Sequence, residues 1–221
     1  MPIHDWSRVP SGLYHDFHQT WTVRIASILN KGLLPRPLSA LLERSRPEHS
    51  KVSGAPPQQI YAGRANRVAI KHHLGKTIAI IEIISPGNKD TRASVQDFLN
   101  KTIDFLRAGI HVLLIDLRPR PRDPLGIHQL IGDEIGSDTF AFPPGKDRIL
   151  ASYEASEEKV AYVQPLAVGE ALPEMPLFLS AGQHVKVPLE STYQVAWRDF
   201  PEDMRIAVET GVMPDPDADI E

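Results

Sequence analysis

The chain contains no cysteine. That excludes disulfides, thiolate metal sites and a cysteine nucleophile, and it suits a reducing, cytoplasmic setting. A basic excess is missing too: Lys and Arg number 24 against 28 Asp and Glu, a formal net charge of -4. A global positive field is therefore excluded as a source of nucleic-acid affinity, and a nucleic-acid partner would need a local patch. No apolar run approaches the roughly 20 residues of a membrane-spanning helix, so no membrane partner is expected. The start, Met1-Pro2-Ile3-His4-Asp5-Trp6, lacks the basic and apolar regions of a secretory leader. There are no repeats and no low-complexity segment, and no stretch has the glycine spacing of a phosphate loop.

What is present suffices for one full core: 221 residues, 42% of them hydrophobic and 24% charged, in the ordinary globular range. Twenty prolines punctuate the connections and limit helix. Leu13, Phe17, Trp21, Ile25 and Ile28 recur at helical spacing, so a helix is expected from Leu13 to Asn30, stopped by Gly32 and Pro35. Residues 38–43 fit a helical turn and a strand equally. Residues 46–59 are proline-rich and aperiodic, a loop. Ile60-Tyr61 and Asn66–His72 suggest strand, with Arg67, Ala69 and Lys71 on one face and Val68 and Ile70 on the other. Leu74-Gly75-Lys76 reads as a hairpin turn.

The Ile-rich run from Thr77 to Ser85 is the most apolar stretch, a strand covered on both faces. It carries one carboxylate, Glu82, and a buried carboxylate must be paired, metal-bound or protonated. Ser85-Pro86-Gly87-Asn88-Lys89 follows, either a backbone cradle for an anion or a proline-shaped strand exit. Asp90-Thr91 caps a helix whose stripe is Val95, Phe98, Leu99, Thr102, Ile103 and Leu106. A second buried strand runs from Ile110 to Leu117 and carries Asp116. Strand, helix and strand make a crossover that favours parallel pairing. Beyond the basic connection of Arg118, Arg120 and Arg122, a short helix is expected over Leu125–Ile135. Strands follow over 149–153 and 159–168, with Pro165 marking an edge. Short strands at 177–179 and 185–187, a helix over Glu190–Phe200 and a last helix opened by Pro201 complete the chain. His15 and His18, three apart on the first helix, form a possible metal pair with His4 and Asp5 as further ligands, against the alternative of polar residues around buried Phe17 and Trp21.

This order matches the α-β-β-β-α-β core of the restriction-endonuclease-like fold. The resemblance implies a divalent cation, Mg²⁺ or Mn²⁺, held by carboxylates on the central hairpin, and a lysine that stabilises charge or activates water. Glu82 stands where the first member of the family's E-x-K pair would be, but the lysine position is Ile84 and the preceding hairpin strand has no Asp. Lys89 or Lys101 would then substitute, with Asp116 as a second metal ligand. The structural alternative pairs Glu82 with Arg67, Lys71 or Lys89.

A wider set of motifs resembles a bacterial family known as domain of unknown function 4058. They are His4-Asp5-Trp6, Ala65-Asn66-Arg67-Val68-Ala69-Ile70, Ile81–Lys89, Leu106–His111 with Asp116, Arg122-Asp123-Pro124 and Met175–Leu179. That resemblance covers nearly the whole chain and implies no activity. A narrower one, through Glu82, Ser85, Pro86, Lys101 and Gly109, is to the Uma-type endonuclease-like proteins. The expectation is a mixed α/β single domain over 1–221: a core over 13–120, a β-rich extension over 121–210 and an acidic tail over 211–221. Its expected function is a diverged metal-dependent phosphodiesterase with Glu82, Lys89 and Lys101 catalytic and Glu82 and Asp116 on metal. The alternative is a non-catalytic binding or assembly module.

Overall fold

Tyr14, Phe17, Trp21 and Ile25 form the buried stripe of helix α1, Ser11–Ile28. The computed structural model describes residues 3–44, 66–118, 126–136, 140–157 and 159–214. The expected loop at 46–59, the strand at Ile60-Tyr61, and Arg120 and Arg122 lie outside those residues. After α1 the helix widens into a π turn, Leu29–Leu33, and Gly32 ends it with φ at +107°. That positive φ is inexpensive only for glycine. The ambiguous stretch that follows is a strand, β1, Leu38–Arg44.

β2 (Asn66–His72) and β3 (Thr77–Ile83) form the expected hairpin. Its turn is closed by a hydrogen bond from Gly75 N to His72 O at 2.8 Å. Helix α2, Arg92–Arg107, is capped by Thr91, whose side chain accepts from Ser94 N at 3.0 Å. It crosses to β4, His111–Asp116, which pairs parallel to β3. Helix α3 is Ile127–Ile135. β5 (Arg148–Glu154) and β6 (Val160–Leu166) follow, then β7 (Met175–Ser180) and β8 (Gln183–Val187), and finally α4 (Leu189–Asp199) and α5 (Glu202–Thr210).

The main sheet has six strands in sequence order, β1 to β6, antiparallel throughout except for β3–β4. The β-rich extension was expected to pack on the core. Instead β5 and β6 extend the sheet itself, and only the β7–β8 hairpin forms a second sheet. The reason is edge pairing: β4 would otherwise leave a row of unpaired backbone groups beside a fully buried strand.

Period-two alternation divides the core into two layers. On one side Val68, Ile70, Ala79, Ile81, Ile83, Leu113 and Ile115 meet α1, α4 and β7. On the other, Ile84, Val112, Leu114, Ala151 and Tyr153 meet α2 and α3 through Phe98, Leu99, Ile103, Leu106, Ile127 and Ile131. Each fully buried aliphatic side chain contributes about 1.5–3 kcal/mol. The first layer also holds an aromatic box in which Trp6, Phe17, Tyr193, Trp197 and Phe200 pack with ring centroids 4.5–6.2 Å apart.

Candidate functional site

Alternation along β3 sends Ala79, Ile81 and Ile83 to the α1 layer. Glu82 therefore points to the α2 layer, where it is 3% exposed. On α2, Phe98, Thr102, Ile103 and Leu106 face the sheet. Lys101 sits on the flank of that stripe. Its ammonium lies over the Phe98 ring, 4.8 Å from the centroid, and reaches Glu82 Oε1 at 2.5 Å. A long apolar stem lets a flanking lysine cover the ring and still deliver its charge inward. The carboxylate that burial disfavours is thus held by the helix lysine, not by Arg67, Lys71 or Lys89.

Those two hairpin cations have another partner. Arg67 and Lys71 both bind Glu43 on β1, at 3.0 and 2.5 Å. The Arg67 guanidinium also lies 4.9 Å from the centroid of Phe105 on α2. Burial pushes the Glu43 carboxyl up, but hydrogen bonds from Lys71 and Arg67, and their charges, hold it below the ordinary carboxylate range. Sequence reasoning did not single out Glu43, because residues 38–43 fitted helix and strand equally. The alternation Leu41-Leu42-Glu43 beside Arg67 becomes a signal only once β1 is set against β2, where Glu43 faces Arg67 in register.

The Ser-Pro-Gly-Asn-Lys stretch folds into a 3₁₀ turn, Pro86–Lys89, closed on itself. Ser85 N and Oγ both donate to Asn88 Oδ1, at 2.9 and 2.8 Å. This favours the strand-exit alternative, since Ser85 and Asn88 close the turn on each other. Lys89 points inward, 3% exposed, and pairs with Asp116, itself 6% exposed. Asp116 Oδ1 also accepts Arg118 N at 3.3 Å, and Lys89 Nζ donates to Arg118 O at 3.4 Å. On the far side, burial and then the Asp116 charge push the phenol of Tyr14 up.

Register sets Glu82 opposite Leu114 across the parallel pair. Asp116, two residues on, shares that face of β4. The four residues singled out in the sequence therefore form two separate lysine–carboxylate pairs on neighbouring strands, Glu82–Lys101 and Asp116–Lys89.

Divalent cations such as Mg²⁺ ask for oxygen ligands with one or two carboxylates free to coordinate. Here each candidate carboxylate is neutralised by its own lysine, and the α2-facing side chains of β2 include Arg67 and Lys71, where a nuclease-type site needs an acid. Among the described residues no group of three or more His, Asp and Glu is placed to hold a metal. Among the described residues the donor set does not fit Mg²⁺ or Mn²⁺. His15 and His18 lie on α1 with ring centroids 5.9 Å apart; His15 meets Gln19 at 2.5 Å, and His18 is fully buried. His4 stacks on Trp197 at 3.6 Å and bonds the Tyr193 hydroxyl at 2.8 Å, while Asp5 pairs with Arg148.

Fold and site define a mixed α/β protein whose central strand is flanked by internally neutralised acids. Among the described residues no helix is long and apolar enough to cross a membrane. Comparison with protein-family models, curated proteins and solved structures finds no match for the chain.

Proposed function

We propose that the chain is a non-catalytic binding module on a restriction-endonuclease-like scaffold, taking a phosphate-bearing ligand on the α2 side of β1–β3. The scaffold reading is supported by the order helix, three antiparallel strands, crossover helix and parallel fourth strand. Kinship with domain of unknown function 4058 belongs to the same proposal and rests on the motifs quoted above.

One observation carries the binding reading. The hairpin face beside Glu82 presents cations where metal chemistry needs an acid. Arg67, Lys71 and Lys101 stand against Glu43 and Glu82, three positive charges to two negative. The three cationic side chains are 17%, 28% and 26% exposed, so water and solutes reach them. Such a cluster repels a free divalent cation and attracts an anion that can share its donors.

The test uses labelled single- and double-stranded oligonucleotides, DNA and RNA, followed by fluorescence anisotropy in EDTA. The same substrates are then incubated with Mg²⁺ or Mn²⁺. Binding without metal is expected, weakening steeply with salt as counterions are released. Lys71→Met should weaken it uniformly across sequences. Neither wild type nor Glu82→Gln should cleave. Metal-dependent cleavage that Glu82→Gln abolishes would overturn the proposal in favour of a hydrolase, and absence of metal-free binding would remove nucleic acid as the ligand.

A further inference from the structure

The two edges of the main sheet are treated differently. At β1, the side chain of Asn30 takes up both outward backbone groups of Ala40: its Nδ2 donates to Ala40 O and its Oδ1 accepts from Ala40 N, both at 2.8 Å. Glu43 further along β1 carries the ion pairs with Arg67 and Lys71. A capping amide and inward charge are the usual devices that stop an edge strand from recruiting another strand.

The β6 edge is guarded only at its Pro165 end, where the Gln164 side-chain amide donates to the Pro165 carbonyl at 3.4 Å; no such contact reaches the backbone of Ala161 or Val163 among the described residues. Between Lys159 and Leu166 the sequence is Val-Ala-Tyr-Val-Gln-Pro, with no charged side chain. Among the described residues no strand pairs with its outer side. Val160 is 49% and Tyr162 50% exposed. The carbonyl of Pro165 turns outward to accept Lys146 Nζ at 3.3 Å. Pro165 has no N–H to offer, which an edge position tolerates. In an antiparallel strand every second residue shares one hydrogen-bonding direction. Ala161 and Val163 therefore also direct N–H and C=O away from β5.

We infer that β6 is the interface for a second copy of this chain, paired antiparallel across a two-fold axis at Tyr162. That axis sets Ala161 opposite Val163 of the second copy, and the reverse, so the outward N–H and C=O groups of all four residues are satisfied. Val160 meets Gln164 and Lys159 meets Pro165, so no like charges face each other. Tyr162 meets its own equivalent as a non-hydrogen-bonded pair, and aromatic side chains there stack across the axis. The arrangement is isologous and closed. It continues the six-stranded sheet into one of twice the width. It does not depend on the ligand proposed above.

The absence of native cysteine makes the test direct. Cα atoms of a non-hydrogen-bonded antiparallel pair lie about 4.5 Å apart, inside the span a disulfide bridges. Tyr162→Cys should give a reducible covalent dimer under mild oxidation. Leu41→Cys, equally exposed but on the guarded edge, should not. In sedimentation equilibrium from about 1 to about 100 µM the wild type should be dimeric. Tyr162→Lys should weaken association by about tenfold or more by placing like charges on the axis. Val160→Lys, on the exposed rim, serves if Tyr162→Lys unfolds. A wild type monomeric over the whole range overturns the inference. So does a dimer that both lysine variants leave intact, or one that cross-links through position 41 in place of 162.

Discussion

The Lys89–Asp116 pair gives the sharpest energetic test. Both groups are almost sealed from water, at 3% and 6% exposure. Lys89→Met keeps the length and the apolar stem and deletes the ammonium. Asp116 then stays buried without its ammonium, and Arg118 N at 3.3 Å is a weak substitute for that charge. Breaking a buried pair from one side costs about 3–5 kcal/mol, because the remaining charge is uncompensated. Total stability of a domain is about 5–15 kcal/mol, so roughly a fifth or more of it is at stake. At about 2–4 °C per kcal/mol for a chain of this size, Tm should fall by roughly 10 °C. Asp116→Leu alone should cost a similar amount, since it strands the ammonium. The double variant Lys89→Met/Asp116→Leu removes both charges and should recover most of the loss, giving a coupling of about 2 kcal/mol or more. Guanidinium unfolding followed by the fluorescence of Trp6, Trp21 and Trp197, all buried, measures the cycle. A loss below about 1 kcal/mol for Lys89→Met is the value of a solvated surface pair, and it would refute the burial argument.

Lys101 is 26% exposed, but the acid that Lys101→Met strands, Glu82, is 3% exposed, so the variant should cost about 3–5 kcal/mol, as Lys89→Met does. A loss below about 1 kcal/mol in denaturant titrations would show that water satisfies Glu82 in place of the lysine. Asn30→Ala deletes both hydrogen bonds to Ala40 and should cost about 1–2 kcal/mol; it also uncovers the β1 edge, so concentration-dependent aggregation by light scattering should rise. Burial lowers His128, beside Tyr153, and His4, against Trp197, to about 4 each. Both are neutral in the fold and take up protons on unfolding, so stability is full above the ordinary value near 6.5 and falls as pH drops toward 4. Burial lowers His111 in the same direction. The denaturation midpoint should therefore be lower at pH 5 than at pH 7.5. His128→Phe should flatten that dependence, and an unchanged slope would exclude His128 as its source.

Elements with strong periodicity were legible in the sequence. The Phe17, Trp21 and Ile25 spacing marked α1, the Ile run marked β3, and Thr91 with the Phe98–Leu106 stripe marked α2 within two residues of its ends. What sequence could not supply was the partner of each charge. Glu82 has four candidate cations within reach of strand and helix geometry, and local pattern treats them alike. Lys101 lies on the flank of a helical stripe, a position from which a side chain turns outward as easily as inward. Only the docking of α2 on the sheet, with the Phe98 ring beneath the ammonium, turns it in. Residues 38–43 failed for a different reason. Six residues carry too little period to separate helix from strand, and pairing with β2 decides the matter. The same pairing brings Glu43 into the cluster. The extension's role in the main sheet was equally hidden, because strand order is a long-range property that no window of sequence contains.

The arrangement of charge along β3 also bears on why the strand tolerates its acid. A carboxylate amid Ile80, Ile81, Ile83 and Ile84 would be excluded from so dry a site without a fixed counter-ion. Lys101 supplies it from α2, one layer away, so the acid also ties the helix to the sheet at that height. Asp116 does the equivalent on β4, where Lys89 ties down the turn that leaves β3. Each acid thus joins its strand to a segment of the crossover: Glu82 to the crossover helix, Asp116 to the turn that starts it. A metal at either carboxylate would have to displace the lysine and release that tie. An anion of the kind proposed above, held by Arg67, Lys71 and Lys101, would leave both ties in place.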